Sequence, residues 1–176
     1  MTKAHPLRRI CDGVFNKTYS DEEAVEMANL LLDYSANVDG YGLVENQDTP
    51  LLAAASLHVE KLGILYVDKG ATIDHRGANG ATALHWAAWT GQDKLVQRLI
   101  EAGADVHQRC IAFRGTPLLW AVHGLKYGGS DNQHHQAECV RLLLEAGADK
   151  NIPNKEGTKA IKFLDEQDIE MRELLS

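Results

Sequence analysis

One opening, Thr49-Pro50-Leu51, returns as Thr82-Ala83-Leu84 and again as Thr116-Pro117-Leu118, at steps of 33 and 34 residues. A second marker recurs in the same register, as Lys69-Gly70-Ala71, Ala102-Gly103-Ala104-Asp105 and Ala146-Gly147-Ala148-Asp149. Two anchors repeating at a fixed period describe a chain built from copies of one supersecondary unit, each covering the apolar face of its neighbour. The unit is clearest between Gly80 and Asp105. Thr82 stands where a helix needs an N-cap, with Leu84, Ala87 and Ala88 behind it at helical spacing. Gly91 and Gln92 interrupt that helix. Leu95, Val96, Leu99 and Ile100 then give a second apolar stripe, and Gly103 offers the left-handed residue that ends it. The spacing predicts a helical hairpin, copied along the chain.

A period of about 33 residues opening on Thr-Pro-Leu-His-x-Ala is similar to the ankyrin repeat, and Thr82-Ala83-Leu84-His85-Trp86-Ala87 matches it at every place but the proline. The resemblance implies an all-α solenoid, an ankyrin-repeat stack of about five helix-turn-helix hairpins joined by finger-like β-turn loops. It also implies a protein-protein interaction module that binds another protein through its concave face and fingers, without catalysis. Residues 1–176 are read as a single domain. Its approximate units are 1–38, an N-terminal cap, then 39–74, 75–107, 108–151, which carries an insertion, and 152–176, a C-terminal cap.

Charge and cysteine usage narrow the setting. The formal net charge of −7 disfavours unspecific attraction to nucleic acid or an anionic membrane, and favours a basic or neutral protein partner. No run approaches the roughly 18 apolar residues of a membrane span. The positive N-terminus, with Lys3, Arg8 and Arg9, lacks the apolar stretch of a secretory signal. Cys11, Cys110 and Cys139 are odd in number and far apart, which suits reduced core thiols better than a disulfide frame. The expectation is a soluble, cytoplasmic monomer that needs no cofactor.

The copies depart from the pattern in informative ways. In the first, residues from about 6 to 16 read as a short capping helix with Leu7, Ile10 and Cys11 on one side. Asp21, Glu22 and Glu23 crowd the start of its second helix, where negative charge complements the dipole, and Ser35 replaces the usual glycine. Residues 39–48 are expected to project as a finger, with Tyr41 and Leu43 folded back as core. Ala53, Ala54 and Ala55 let the next hairpin approach closely, and His58 stands in a glycine place as a solvated loop residue. Gly80 takes the turn position of the next finger. The finger at 107–115 is one residue longer and the most hydrophobic. It reads as an interface flanked by Arg109 and Arg114, or as a plug in which Ile111 fills the gap between hairpins and Phe113 is half buried. The fourth hairpin carries about ten extra residues near Leu125 to His134. That predicts an inner helix lengthened through about Tyr127, a turn over 128–132, and an outer helix from about Gln136 to Glu145. Ile161, Phe163 and Leu164 are expected on a last inner helix, and Ile169, Met171, Leu174 and Leu175 on a truncated outer one.

Catalytic motifs are missing: there is no G-x-S-x-G, P-loop, dinucleotide fingerprint or H-E-x-x-H. The alternative to a binding module is a small metal-binding protein or enzyme using the inserted loop around 123–139, where His123, His134, His135 and Cys139 are zinc-type ligands. Adjacent histidines, however, reach one ion together with difficulty. A third reading is a structural role through self-association. His85 resembles the family histidine that hydrogen-bonds neighbouring loop backbone. Trp86 and Trp120 lie four residues after Thr82 and Thr116, and Phe163 four after Lys159, in a column the resemblance makes a packing site. Trp89, whose counterparts are Ser56 and His123, occupies a place family members use for target contact, and both contact and core stay open for it. An exposed tryptophan on a concave surface is a good anchor, because it buries much area for little lost side-chain entropy. Placement and residue type together give the expected contact set Asn46, Asn79, Trp89, Thr90, Phe113, Arg114, His123 and Tyr127. The resemblance adds that His107 and Asn151 hold a turn position that animal members of the family can have hydroxylated.

Overall fold

A computed structural model describes residues 5–44, 47–128 and 133–176. Its α-helices are α1 (Pro6–Phe15), α2 (Asp21–Asp33), α3 (Pro50–Ser56), α4 (Glu60–Asp68), α5 (Ala83–Thr90), α6 (Asp93–Glu101), α7 (Pro117–Tyr127), α8 (Gln133–Glu145) and α9 (Ile169–Leu175). Helices α1, α2, α3, α5 and α7 start where a side chain accepts a free amide, and most helices end where one residue turns left-handed. Among the described residues no strand forms.

The recurring threonine is the start signal. Thr49 Oγ1 accepts the amide of Leu52 at 3.3 Å and Thr116 Oγ1 that of Leu119 at 3.3 Å, each followed by a proline whose fixed φ suits the first helical residue. Both threonines are 3% exposed, so each hydroxyl satisfies an amide that water does not reach. In α2, Ser20 and Glu23 form a reciprocal capping box behind the acidic first turn.

The stop signal is equally regular. Ala36, Ala71, Ala104 and Ala148 donate to the carbonyls of Leu31, Tyr66, Leu99 and Leu143 at 2.9, 2.9, 3.0 and 2.9 Å. The residue ahead of each, Ser35, Gly70, Gly103 or Gly147, has φ of 68, 82, 92 or 87°. This is one Schellman ending made four times, and it shows why glycine recurs there.

Between these signals the helices form two layers. α1, α3, α5 and α7 pack in an inner row, and α2, α4, α6 and α8 in an outer row, each hairpin touching the next in both layers. One apolar cluster runs through them from Leu7 to Leu175. Ala53, Ala54, Ala55, Ala83, Ala87 and Ala88 are all buried at the inner row, where small side chains allow close approach. Hydrogen bonds stitch successive hairpins: Gln92 Nε2 donates to the Ala55 carbonyl at 2.5 Å, Gln136 Nε2 to the Trp89 carbonyl at 3.1 Å, and Tyr66 Oη to the Leu7 carbonyl at 2.9 Å. Asp39 accepts both the amide and the hydroxyl of Thr72 at 2.8 Å, tying one turn to the next. No helix of the described residues is long and apolar enough to cross a membrane.

Four expectations need correction. Tyr41 and Leu43 are 71% and 52% exposed and do not fold back as core. Gly40 and Gly42, at φ of 75 and 105°, turn this finger away from the helices, and Tyr41 meets His5 edge-on at 4.9 Å. α8 begins at Gln133, three residues before the expected Gln136, and its extra turn lets His135 pair with Asp93 at 3.1 Å. The last inner helix is only a 3₁₀ turn, Ala160–Phe163, because Lys159 has no hydroxyl with which to cap it and Leu164 is already extended. Ile169 and Leu174 in α9 are 65% and 37% exposed, while Met171 and Leu175 alone of that set are buried. The lengthened α7, by contrast, runs to Tyr127 as its pattern indicates.

Candidate functional site

The inner row places an aromatic residue one turn into α5 and into α7. Trp86 and Trp120 meet edge to face, with ring centroids 5.0 Å apart and planes at 83°. Trp89, one turn further along α5, crosses Trp86 at 77° and 6.0 Å. The finger at 107–115 brings Phe113 to 6.5 Å from Trp120. The last unit adds Phe163, 5.5 Å from His123 of α7. These rings surround an open pocket of about 440 Å³, lined also by Asn79, Leu119, Asn154 and Glu156. Ala81, Cys110 and Trp120 form a small apolar cluster of their own beneath it, separate from the main core.

Exposure separates the aromatic residues. Trp120 is 8% exposed and meets the expectation of a packing site, whereas Trp86 and Trp89 are half-buried and Phe113 is 50% exposed. The column read as core is therefore only partly core: Trp86 shares its surface between the helices and the pocket. Trp89 is held from both sides. Its indole N–H donates to His123 Nδ1 at 3.4 Å, and its own carbonyl accepts from Gln136. Partial burial lowers the His123 pKa, which keeps Nδ1 free to accept that bond. The His123 ring also packs on Tyr127 at 4.6 Å.

The pocket floor is braced by His85. Its Nδ1 accepts the Thr82 amide at 3.2 Å and the Thr82 hydroxyl at 2.9 Å, leaving Nε2–H to donate to the Gly115 carbonyl at 3.2 Å. Burial pushes its pKa down to about 4, with the bond to Gly115 acting the other way. This histidine is a neutral strut between α5 and the next finger, as the resemblance implies, and its ring abuts Trp120 at 5.5 Å. The fingers are zipped in turn. The Asn79 carbonyl accepts from the amides of Ile111 and Ala112, and the Phe113 carbonyl from that of Lys155. Ile111 lies over Gly80, where any Cβ would come within 2.3 Å of its side chain, yet it is 61% exposed. It caps the neighbouring finger and does not plug a gap.

Of the expected contact residues, Asn79, Trp89, Phe113 and His123 line the pocket together. Thr90 is half-buried, its hydroxyl donating to the Trp86 carbonyl at 2.8 Å and accepting from Gln92 at 2.7 Å. Arg114 is exposed in a left-handed conformation at φ 53°, beyond the lining. Tyr127 is 61% exposed at the end of α7, beside His123. Asn46 lies outside the described residues. Sequence reasoning missed Phe163, Asn154 and Glu156 as lining residues. Phe163 shares the column of Trp86 and Trp120, and reading that column as a wall would have found it.

The ligand set near the insertion does not assemble. Among the described residues no three His, Cys, Asp or Glu side chains converge as metal ligands. His135 faces Asp93, His123 faces the aromatic rings, and Cys139 is fully buried, where burial raises its thiol pKa. Cys11 is likewise held by burial at about 12, and all three cysteines are free and buried. Buried and protonated, the Cys11 and Cys139 thiols are poor nucleophiles. His107 is exposed, and its Nε2 accepts from the Asp149 amide at 3.2 Å, joining the turns of successive units.

Comparison with known proteins places this architecture. The chain is 27% identical over 143 residues to ankyrin repeat and SOCS box protein 6 of Mus musculus, covering 81% of this chain and 32% of that protein. It is 28% identical over 120 residues to the probable E3 ubiquitin-protein ligase XBOS32 of Oryza sativa subsp. japonica, covering 68% of this chain and 22% of that protein. Over 101 residues it is 35% identical to ankyrin repeat and SAM domain-containing protein 6 of Rattus norvegicus, 56% of this chain and 10% of that protein. The chain thus spans about a third or less of the curated relatives it matches. A family model described as ankyrin repeats (3 copies) matches residues 19–110 and 74–154. With that match over most of its length, and with four Schellman-ended hairpins in one row, the chain belongs to the ankyrin-repeat family.

Proposed function

We propose that this chain is a non-catalytic module that binds another protein on its concave face, with the pocket between α5, α7 and the fingers at 107–115 and 152–159 as the centre of contact. The observation that carries the reading is the aromatic surface left open there. Trp86 and Trp89 are half-buried and Phe113 is 50% exposed, around a pocket that stacking of the hairpins does not fill. Large rings held rigid by neighbours and left partly wet are the usual anchors of an interface. Asn79 and His123 border the same opening, Tyr127 packs on His123, and Thr90 and Arg114 belong to the proposed contact set as the chain neighbours of Trp89 and Phe113. Asn46 belongs to the proposed contact set by its place in the first finger. The units drawn from the repeat, the monomeric state and a cytoplasmic setting complete the proposal, the last in line with three free, buried cysteines.

The test is partner capture with a paired variant. Trp89→Ala with Phe113→Ala should release a native partner retained by the wild-type chain, while helical circular dichroism stays unchanged and the melting temperature falls by a few degrees at most. If capture persists at wild-type strength in a folded variant, the contact lies elsewhere.

A further inference from the structure

The outer helices are joined by charge in one direction. Lys61 Nζ of α4 meets Glu22 of α2 at 2.5 Å and Lys69 Nζ meets Asp33 at 3.8 Å, while Arg98 Nε of α6 meets Asp68 of α4 at 2.6 Å. Each cation reaches back to an acid of the helix before it. The Schellman endings set these helices in a common register, because Leu31, Tyr66 and Leu99 accept the closing amide in α2, α4 and α6. Counted from those residues, Lys61 stands five places before, Arg98 one before and Lys69 three after. The same places in α2 hold Glu26, Leu30 and Tyr34, four residues apart along one side of the helix. The side of α2 that reaches back therefore carries an acid and two large apolar groups, and α2 has no lysine or arginine.

Among the described residues nothing covers this stripe. α2 packs mainly on α1 and α4. Leu30 and Tyr34 are 59% and 82% exposed, whereas Leu65, the counterpart of Leu30 in α4, is half-buried. Glu26 is exposed and pairs with no cation among the described residues. Met27, half-buried, and Glu23, exposed, widen the stripe. The outward face of a terminal unit is normally polar, so large apolar groups along it mark a surface that something covers.

Charge selects the occupant. Another unit of the same kind would bring forward-facing acids, the counterparts of Asp33 and Asp68, against Glu23 and Glu26. A second copy docked by the same stripe would bring no cation either. A helix with an apolar stripe flanked by lysine or arginine answers both features, covering Leu30 and Tyr34 and neutralising Glu26. Its shape matches too, because the opposite flank of α2 is packed by another helix, α4. The net charge of −7 draws a basic segment in.

We propose that this end of the stack is a second docking surface, which takes a basic amphipathic helix of a partner protein along Glu26, Leu30 and Tyr34 of α2. It goes beyond the concave-face reading and shares no residue with the pocket there.

The experiment uses the full chain and two labelled helical peptides of about four turns, one of leucine and lysine and one of leucine and glutamate in the same pattern. Fluorescence anisotropy reads binding and NMR amide shifts locate it. The lysine peptide should bind about ten-fold or more tightly than the glutamate peptide and shift the amides of Glu26, Leu30 and Tyr34. Leu30→Ala with Tyr34→Ala, both at exposed positions, should weaken it about ten-fold while the melting temperature holds. Glu26→Lys should weaken it about five-fold, and Glu166→Lys, the same charge change on the C-terminal unit, less than about two-fold. Trp89→Ala with Phe113→Ala should leave it unchanged. Equal binding of the two peptides, shifts confined to other helices, full binding by the Leu30 and Tyr34 variant, or equal effects of Glu26→Lys and Glu166→Lys overturns the proposal. So does sedimentation showing that copies of the chain pair through Leu30 and Tyr34. If the lysine peptide fails here while Trp89→Ala with Phe113→Ala still releases the native partner, this surface falls and the concave site stands.

Discussion

The two halves of the inner row share one backbone pattern and carry different side chains. In α3 the positions four and seven residues after the capping threonine are Ala53 and Ser56; in α5 they are Trp86 and Trp89, and in α7 Trp120 and His123. The caps at Thr49 and Thr116 have the same length, 3.3 Å, and the helices stack in the same order. Register, caps and Schellman endings thus fix the frame and are indifferent to what projects into the groove. The bare half closes on buried alanine, with Ala53 1% exposed, and the aromatic half leaves a pocket of about 440 Å³. The aromatic side chains stand at column positions that α3 fills with Ala53 and Ser56 without any change in cap or stacking order.

The largest test of that contrast is steric. Gly124 in α7 faces the backbone of Trp89 so closely that a Cβ would stand 2.2 Å from its carbonyl oxygen, and backbone cannot swing aside. Gly124→Ala should cost about 3 kcal/mol, read from the urea midpoint, by prising apart the two helices that hold the tryptophans. Gly63→Ala in α4 is the control in the outer row. There the clash, at 2.6 Å, is with the flexible Leu95 Cδ2, and the loss should stay under about 1 kcal/mol. Equal losses would mean that the tryptophan-bearing helices are no more tightly constrained than the rest.

A pH series probes the second difference. His85 has Leu52 and Leu119 as its counterparts in the flanking hairpins, so this position titrates in α5 and not in α3 or α7. Above its ordinary pKa of 6.5 the imidazole is neutral in both folded and unfolded chains. As the pH falls below 6.5 the unfolded chain takes up a proton that the folded chain refuses until about pH 4. Stability should therefore decline across that window, by up to about 3 kcal/mol at the acid end. Urea midpoints at pH 7, 5.5 and 4.5 give the slope, and His85→Gln should remove most of it while lowering stability at pH 7, the remainder belonging to His5 and His123, whose pKa values burial also lowers.

Much of this frame was legible in the sequence, and the reasons are local. Thr49, Thr82, Thr116 and the Gly70, Gly103 and Gly147 endings act through bonds within a few residues of themselves, so spacing alone reveals them. The length of α7 was legible for the same reason. What escaped depends on neighbours. Tyr41 and Leu43 looked like core by residue type, but the glycines around them point the finger outward. Trp86 looked like packing by column, yet it is partly exposed and lines an opening that Phe113 and Phe163, 27 and 77 residues away in sequence, help to enclose. Phe163 could be assigned to a helix from its pattern, although the missing cap at Lys159 leaves only a 3₁₀ turn. Periodicity carries the repeat, and it is blind to the side on which a repeat is left uncovered.

Binding should follow the same division. Trp89→Ala should cost a partner about 2 kcal/mol, read as a ratio of dissociation constants, whereas Ser56→Ala at the matching place in α3 should change nothing measurable. A partner equally sensitive to both would be spread along the whole groove and not centred on its aromatic half.

The smallest effect tests the frame at its weakest copies. Ser35 and His58 sit at φ of 68 and 58° in places where the central hairpin has Gly103 and Gly91, at 92 and 76°. A left-handed L-residue costs about 1–2 kcal/mol, of which glycine returns roughly half after its own larger loss of chain entropy. Ser35→Gly and His58→Gly should each stabilise by about 0.5 kcal/mol. In a stack where each hairpin is held by its neighbours, that gain is not shared evenly. Ser35 ends α2, which packs mainly against α1 and α4, so Ser35→Gly should slow amide exchange in α1 and α2 while leaving α5 and α7 as they were. Slower exchange throughout the chain would instead show that the hairpins open together as one cooperative unit, and that the bare and aromatic halves are mechanically joined.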